Sequence, residues 1–389
     1  DALGRIMTDR GVCRPSYEGQ SLELHIDAAI QHISELALQQ AVEENNAKSG
    51  MAVVMESNTG AVLAMAHFPA FNPNSFNAYP AAARRNRAVT DQFEPGSALK
   101  IFLAAAALES RLFTPDSVVY CEDGRYRIGR NIIRDTHAHE DLTFTEIIAK
   151  SSNIGTAKIA QQIGPAILHH TLANFGFGEK TGIQSPGEAS GQLRDYRAWK
   201  PIDHATIAFG QGITVTAIQL AAAVAAIAND GILMKPRIIK AIRDAQGNVV
   251  ERFHPEVRRR VISSRTARML QQMMSAATKE SGTGNLAAPA GYPVCGKTGT
   301  AQKLNDQGNY KHCEYMAVFA GFVPDRTRPL TVVVVVDEPH RHYYAGLVAA
   351  PAFREIVRES FNYLNIPPEP AEPEKQRLDV ATETTRQGA

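Results

Sequence analysis

The sequence predicts one α/β (α+β) domain in which strands from both ends of the chain complete a single sheet around a mostly helical middle. Three observations carry this. Met51 to Met55 and Ala61 to Ala66 are short apolar runs joined by Asn58-Thr59-Gly60, a hairpin signal. Tyr315 to Phe322 and Leu330 to Val336 repeat that pattern near the other end, around Pro324-Asp325-Arg326. Between them, from about Phe93 to Gly231, apolar residues recur at helical spacing. Strands so far apart in sequence bury their apolar faces by sharing a sheet with helices packed on it.

In chain order, residues 1–20 are polar and irregular, with Gly4, Gly11 and Pro15, and read as a linker or the remnant of an upstream module. Asp27 is placed to cap a helix carrying Ile30, Ile33, Leu36, Leu38 and Val42 at helical spacing. After the first hairpin, the strongest helical segments are Phe102 to Leu108, Ile147 to Ile163 and Ala217 to Asn229. The last of these ends at the stop signal Asn229-Asp230-Gly231. A further helix is expected from Arg265 to about Ser281. The five consecutive valines Val332 to Val336 predict a strand covered on both faces. A final helix is expected from Pro351 to Leu364. Residues 367–389, rich in Pro, Glu, Thr and Gln, are expected to be a disordered tail. The folded domain is therefore placed at residues 21–366.

Bulk properties exclude several functions. A chain of 389 residues that is 44% hydrophobic can bury a large core, while its formal net charge of +1 gives no electrostatic case for a nucleic-acid partner. Cys13, Cys121, Cys295 and Cys313 have neither a disulfide-framework pattern nor metal-ligand spacing. No apolar run reaches the roughly 18 residues of a membrane span. The first residue is Asp1 rather than methionine, which reads as an excised piece with room for an upstream anchor or signal. His137 and His139 sit two apart without a third ligand and read as a polar loop, so no metal is expected. Cys295 reads as a small packing residue. Gly210-Gln211-Gly212 lacks the context of a dinucleotide site, and no cofactor is expected.

Three short segments carry chemistry. Glu94-Pro95-Gly96 is a turn that stops just before Ser97, and an apolar helix follows. Ser97 is thus expected at a helix N-terminus, where unpaired N–H groups and the helix dipole favour a developing negative charge. Lys100, three residues on, shares its face. Ser151-Ser152-Asn153 sets two hydroxyls and an amide within an otherwise helical stretch. Lys297-Thr298-Gly299-Thr300 places a cation and two hydroxyls beside a glycine that admits close backbone approach. Taken singly, each segment also has an ordinary structural reading, as a helix cap, a bend and a glycine bulge.

Their order and spacing resemble the penicillin-binding protein and serine β-lactamase superfamily. The longer segments Phe93-Glu94-Pro95-Gly96-Ser97, Ala149-Lys150-Ser151-Ser152-Asn153, Gly210-Gln211-Gly212-Ile213-Thr214-Val215-Thr216 and Gly296-Lys297-Thr298-Gly299-Thr300-Ala301-Gln302 look like class B penicillin-binding proteins, nearest the division-type transpeptidases or their sporulation relatives. The Tyr343-Tyr344-Ala345-Gly346 turn is similar too.

The resemblance implies the transpeptidase fold and a D,D-transpeptidase that forms an acyl-enzyme on Ser97. Lys100 would accept the proton, Ser151 would relay it, and Asn153 would hold the donor peptide. Lys297, Thr298 and Thr300 would take the donor's carboxylate, with Gly299 beside them as part of the substrate-binding segment, and the backbone N–H groups of Ser97 and Thr300 would form the oxyanion hole. It implies peptidoglycan stem peptides and β-lactams as ligands. It further implies a membrane glycan polymerase and other division proteins as partners, and a location on the periplasmic face of the inner membrane. A β-lactamase or D,D-carboxypeptidase with water as acceptor, or a non-catalytic β-lactam sensor domain, would share the same acylation.

Overall fold

The structure, a computed structural model, describes residues 19–304, 310–325 and 328–369. Residues 1–18 of the expected linker and 370–389 of the expected tail lie outside the described residues.

Five antiparallel strands form the central sheet: β1 (Ser49–Glu56), β2 (Val62–Phe68), β3 (Cys295–Leu304), β4 (Tyr310–Val323) and β5 (Leu330–Asp337). Their order is β3-β4-β5-β1-β2, so β5 joins the two ends of the chain by pairing Val333 with Val53. Both expected hairpins form, β1 with β2 and β4 with β5. Val332 to Val336 are fully buried because β5 is the middle strand and both of its faces are covered.

One face is covered by α1 (Ala28–Glu44) and the C-terminal α7 (Ala345–Tyr363). Asp27 caps α1 as expected, its carboxylate accepting from the N–H groups of Ala29 and Ile30. Phe319 of β4 meets Phe353 of α7 there, ring centroids 4.6 Å apart.

The other face carries a helical lobe: α2 (Lys100–Glu109), α3 (Phe144–Lys150), α4 (Asn153–Ile163), α5 (Ala217–Ala228) and α6 (Ser264–Ala276). Every residue of α2 from Lys100 to Leu108 is buried. A run of alanines makes this possible, since a thin helix can be enclosed on all sides.

Four expectations need correction. The helix expected over Ile147 to Ile163 is two helices, broken at Ser151, whose φ of 63° and ψ of 39° are left-handed. The helix expected over Arg265 to Ser281 ends at Ala276. The last helix begins at Ala345, with Pro351 inside it rather than at its start. The middle is also less purely helical, because Arg125–Ile128 and Asn131–Arg134 form a small hairpin, enclosed by an antiparallel pairing of Val118–Tyr120 with Asp141–Thr143. Further short strands, Ser21–Leu24, Ile239–Arg243 and Val249–Arg252, make a separate three-stranded sheet. No described helix is long and apolar enough to cross a membrane.

Phe319 is fully buried between α7 and Gly284, Gly296 and Gly321, so Phe319→Ala leaves a large cavity in the core under α1 and α7. The expected cost is about 3–5 kcal/mol. Urea unfolding measures it, and a cost below about 1 kcal/mol would contradict this packing.

Candidate active site

Ser97 stands at the junction of the two lobes. The turn Gly96–Leu99 is 3-10 and runs into α2, with the Lys100 N–H donating to Ser97 O. Side chains three residues apart eclipse one another in such a turn, so Ser97 and Lys100 share a face. The expectation of a helix N-terminus holds, with a tighter first turn.

Main-chain contacts fix this turn from two sides. Gly96 N donates to Gly210 O at 3.2 Å, and a Cβ on Gly210 (φ 86°) would stand 2.1 Å from Gly96 O. On the other side, a Cβ on Gly299 would stand 2.2 Å from Pro95 O. Strand β3 therefore lies flush against the nucleophile's turn, as the glycine beside Lys297 and Thr298 suggested. Glu94 is buried just before the turn. It accepts from Gly212 N at 2.7 Å and from the Tyr310 hydroxyl at 3.3 Å, and burial pushes its carboxyl up.

Lys100 is fully buried, and its Nζ faces oxygens only: Ser151 O at 2.6 Å, Asn153 Oδ1 at 2.8 Å and Ser151 Oγ at 3.1 Å. The left-handed backbone at Ser151 turns both its carbonyl and its hydroxyl toward this lysine. Such a conformation costs roughly 1–3 kcal/mol and persists where the surroundings hold it.

Asp135 supplies that hold. Its carboxylate accepts from Ser152 Oγ at 2.5 Å, Asn153 N at 2.5 Å and Ile154 N at 3.1 Å, clamping the first turn of α4. Asn153 Nδ2 donates to Arg134 O at 3.0 Å, which orients Oδ1 toward Lys100.

Lys297 is also fully buried. Its Nζ contacts Thr298 O and Oγ1, each at 3.2 Å, and Thr283 Oγ1 at 3.4 Å. Thr283 and Thr298 share a 2.7 Å hydrogen bond, and Thr300 Oγ1 accepts from the first N–H of α7 at Ala345.

Burial penalises the charged form of both amines. Lys297 is pushed down to about 7 by burial alone. Lys100 falls well below the usual lysine range, mainly through burial and further through the nearby charge of Lys297, while Asp135 opposes the shift. A lysine of this kind can take a proton near neutral pH. Among the described residues Ser97 Oγ has no hydrogen-bond partner, so the hydroxyl and the amine share a face without being bonded to each other. Such contacts often tighten only when substrate arrives.

The structure thus brings together Ser97, Lys100, Ser151, Asn153, Lys297, Thr298, Gly299 and Thr300. His137 lies exposed on the loop after Asp135, with His139 nearby and half-buried. Cys295 is buried, and burial pushes its thiol up to about 12. Sequence reasoning missed Asp135, Thr283 and the anchoring part of Glu94. Asp135 stands two residues before His137, and nothing local marks it as the clamp on Ser152 and Asn153.

The family model for the penicillin-binding protein transpeptidase domain matches residues 50–358, most of the chain. The chain belongs to the penicillin-binding protein transpeptidase family. Its class B relatives include the probable peptidoglycan D,D-transpeptidase PenA of Neisseria meningitidis, 37% identical over 90% of this chain and 58% of the relative. The peptidoglycan D,D-transpeptidase FtsI of Escherichia coli K12 is 36% identical over 95% of this chain and 60% of its own length. The chain therefore spans about three fifths of these two relatives.

Among solved penicillin-binding proteins, the transpeptidase domain of penicillin-binding protein 3 from Burkholderia pseudomallei matches with a TM-score of 0.79. It is 35% identical over 92% of this chain and 100% of that one. Penicillin-binding protein 3 of Mycobacterium tuberculosis, solved with ampicillin, matches with a TM-score of 0.85. It is 33% identical over 93% of this chain and 82% of that one.

Burial of Lys297 has a pH signature. Its folded pKa of about 7 lies below the unfolded lysine value of 10.5, so between those limits the unfolded state binds the extra proton. Stability must then rise with pH through that window, by up to about 1.4 kcal/mol per unit from this group. Lys297→Met is expected to flatten the slope of unfolding free energy between about pH 7.5 and 9.5. An unchanged slope would contradict a neutral buried amine.

Proposed function

We propose that this chain is the catalytic domain of a peptidoglycan D,D-transpeptidase that cross-links stem peptides through a Ser97 acyl-enzyme and is acylated by β-lactams. The observation that carries the reading is the buried, oxygen-lined Lys100 on the face of Ser97, its charge disfavoured by burial and by Lys297.

Uncharged Lys100 accepts the Ser97 proton as Oγ attacks the carbonyl of the penultimate D-Ala, because a free hydroxyl is a poor nucleophile near neutral pH. The backbone N–H groups of Ser97 and Thr300 receive the oxyanion, each donor worth roughly 2.7–4 kcal/mol. Ser151, 3.1 Å from Lys100 Nζ, passes the proton to the departing D-Ala amine. Asn153 holds the donor's amide, and Lys297 with Thr298 and Thr300 binds its terminal carboxylate, while Gly299 lets the substrate-binding strand lie close. An amine of a second stem peptide then attacks the ester and closes the cross-link.

Relatives named as D,D-transpeptidases, among them FtsI and PenA, support this chemistry, as does a similar fold solved with ampicillin. The likeness to FtsI favours septal wall synthesis. In that setting the domain faces the periplasm from an inner-membrane protein and works with a glycan polymerase and other division proteins.

Mass spectrometry after penicillin treatment tests the nucleophile. Wild type is expected to gain one adduct, and Ser97→Ala none; an adduct on the alanine variant would overturn the assignment. Lys100→Met is expected to slow acylation about 10²–10⁴-fold. In wild type, acylation should fall as pH drops, because a charged Lys100 accepts no proton. With a fluorescent penicillin the label should persist, since transpeptidation needs an amine acceptor. Its rapid loss would favour a hydrolase, and persistence without cross-linking of lipid-linked strands a sensor.

A further inference from the structure

A cavity of about 450 Å³ lies beneath the segment that leads to the nucleophile. Its roof is residues 85–93, which run directly into Glu94-Pro95-Gly96-Ser97. Its floor is one end of the central sheet, on the same side as α2. Four cations line it, Lys48, Arg85, Arg87 and Lys303, against two carboxylates, Asp91 and Asp337.

Most of these charges are spoken for. Arg85 pairs with Asp91 at 3.0 Å, and Lys303 with Asp337 at 2.6 Å and with Glu338 at 2.5 Å. Glu338 also takes Lys48 at 2.9 Å. Arg87 differs. Its Nη1 donates to Ser49 Oγ at 2.7 Å, and among the described residues no carboxylate pairs with it. Counting Glu338, the wall still carries one uncompensated positive charge, held on a half-buried planar fork of donors. That fork matches a carboxylate in shape and charge. Beside it, His67 Nε2 is buried without a hydrogen-bond partner among the described residues, and burial, with the nearby charge of Arg87 second, lowers that imidazole's pKa.

We propose that this cavity receives a carboxylate of the peptide whose amine attacks the acyl-enzyme, with Arg87 as its principal contact. The inference rests on the acyl-transfer reading above. Position supports it: Lys303 lies on β3 and lines the cavity together with Met316, whose register partner Ala301 shares the face of Lys297 and Gly299. Lys303 stands three residues beyond Thr300, or about 10 Å at ~3.3 Å per residue. A peptide carrying an amine and a carboxylate a few residues apart can reach both places at once. In the step itself the amine nitrogen forms a bond to the ester carbonyl carbon, the C–Oγ bond of Ser97 breaks, and the proton shed by the amine returns to Oγ.

The test compares acceptor peptides that differ only in a free or amidated carboxyl group, using chain acylated by a thioester donor. In wild type the half-saturating concentration of the amidated acceptor is expected to be about tenfold higher. Arg87→Gln should raise the free acceptor to that same value, Arg87→Lys should recover part of the loss, and penicillin acylation should stay as in wild type for both variants. Equal use of the two acceptors by wild type, or an unchanged half-saturation in Arg87→Gln, overturns the proposal.

A binding arm separates this from the reading beneath it. Penicillin-blocked protein is titrated with N-acetylated peptide bearing the free carboxylate, and with inorganic phosphate. Peptide binding that Arg87→Gln abolishes supports the cavity even if no aminolysis is ever seen, an outcome that would count against transpeptidation alone. Phosphate binding without peptide binding overturns the carboxylate assignment.

Discussion

Two ammonium-forming side chains buried within each other's electrostatic reach organise the centre of this protein. Removing one charge from water costs several kcal/mol unless it is well paired, and a second like charge nearby adds to that. Among the described residues no carboxylate pairs directly with Lys100 or Lys297; hydroxyl, amide and carbonyl oxygens surround them. The nearest stabilising anion, Asp135, acts at one remove, through Ser152 and Asn153. The outcome is a pair of amines whose charged forms are penalised by burial, at the cost of stability that a core of purely apolar residues would retain.

Much of the surrounding structure can be understood as what makes that cost bearable. The alanine-rich α2 lets neighbouring helices close around Lys100, and β5 runs between two covered faces of the sheet. Asp135 braces the first turn of α4, and the left-handed Ser151 aims two oxygens where a regular helix would supply neither. A strained residue, a buried amine and a remote carboxylate thus form one mechanical unit.

The legible parts of this protein were those whose cause is local. Hairpin turns, a capping aspartate and a run of valines each act over a few residues, and each formed where the sequence pointed. Ser97, Lys100 and Lys297 were legible because their neighbours constrain the backbone as visibly as the side chains suggest chemistry. The bend at Ser151-Ser152-Asn153 was legible as the ordinary reading of that segment, but two separate helices were not, since Ile147, Ile148, Ile154 and Ile159 keep helical spacing across it and the contacts that hold the break come from Asp135 and from Lys100, fifty-one residues earlier. Asp135 and Thr283 were missed for the same reason. Pro351 misled because proline commonly opens a helix, whereas this helix starts earlier, where the Ala345 N–H meets Thr300 on another strand.

The closest contacts on the nucleophile's turn, apart from the Glu94 side chain before it, are made by peptide groups: Gly210 against Gly96 and Gly299 against Pro95. Peptide groups are the same whatever side chains flank them, so this seat transmits almost no information about its neighbours' identities. The surrounding sequence is free to drift while the attacking oxygen stays in register. Intolerance to substitution should then be sharp and punctate, confined to a few positions without side chains. Adaptive change, including change that discriminates one acylating ligand from another, is pushed outward to residues that touch the ligand but not the seat.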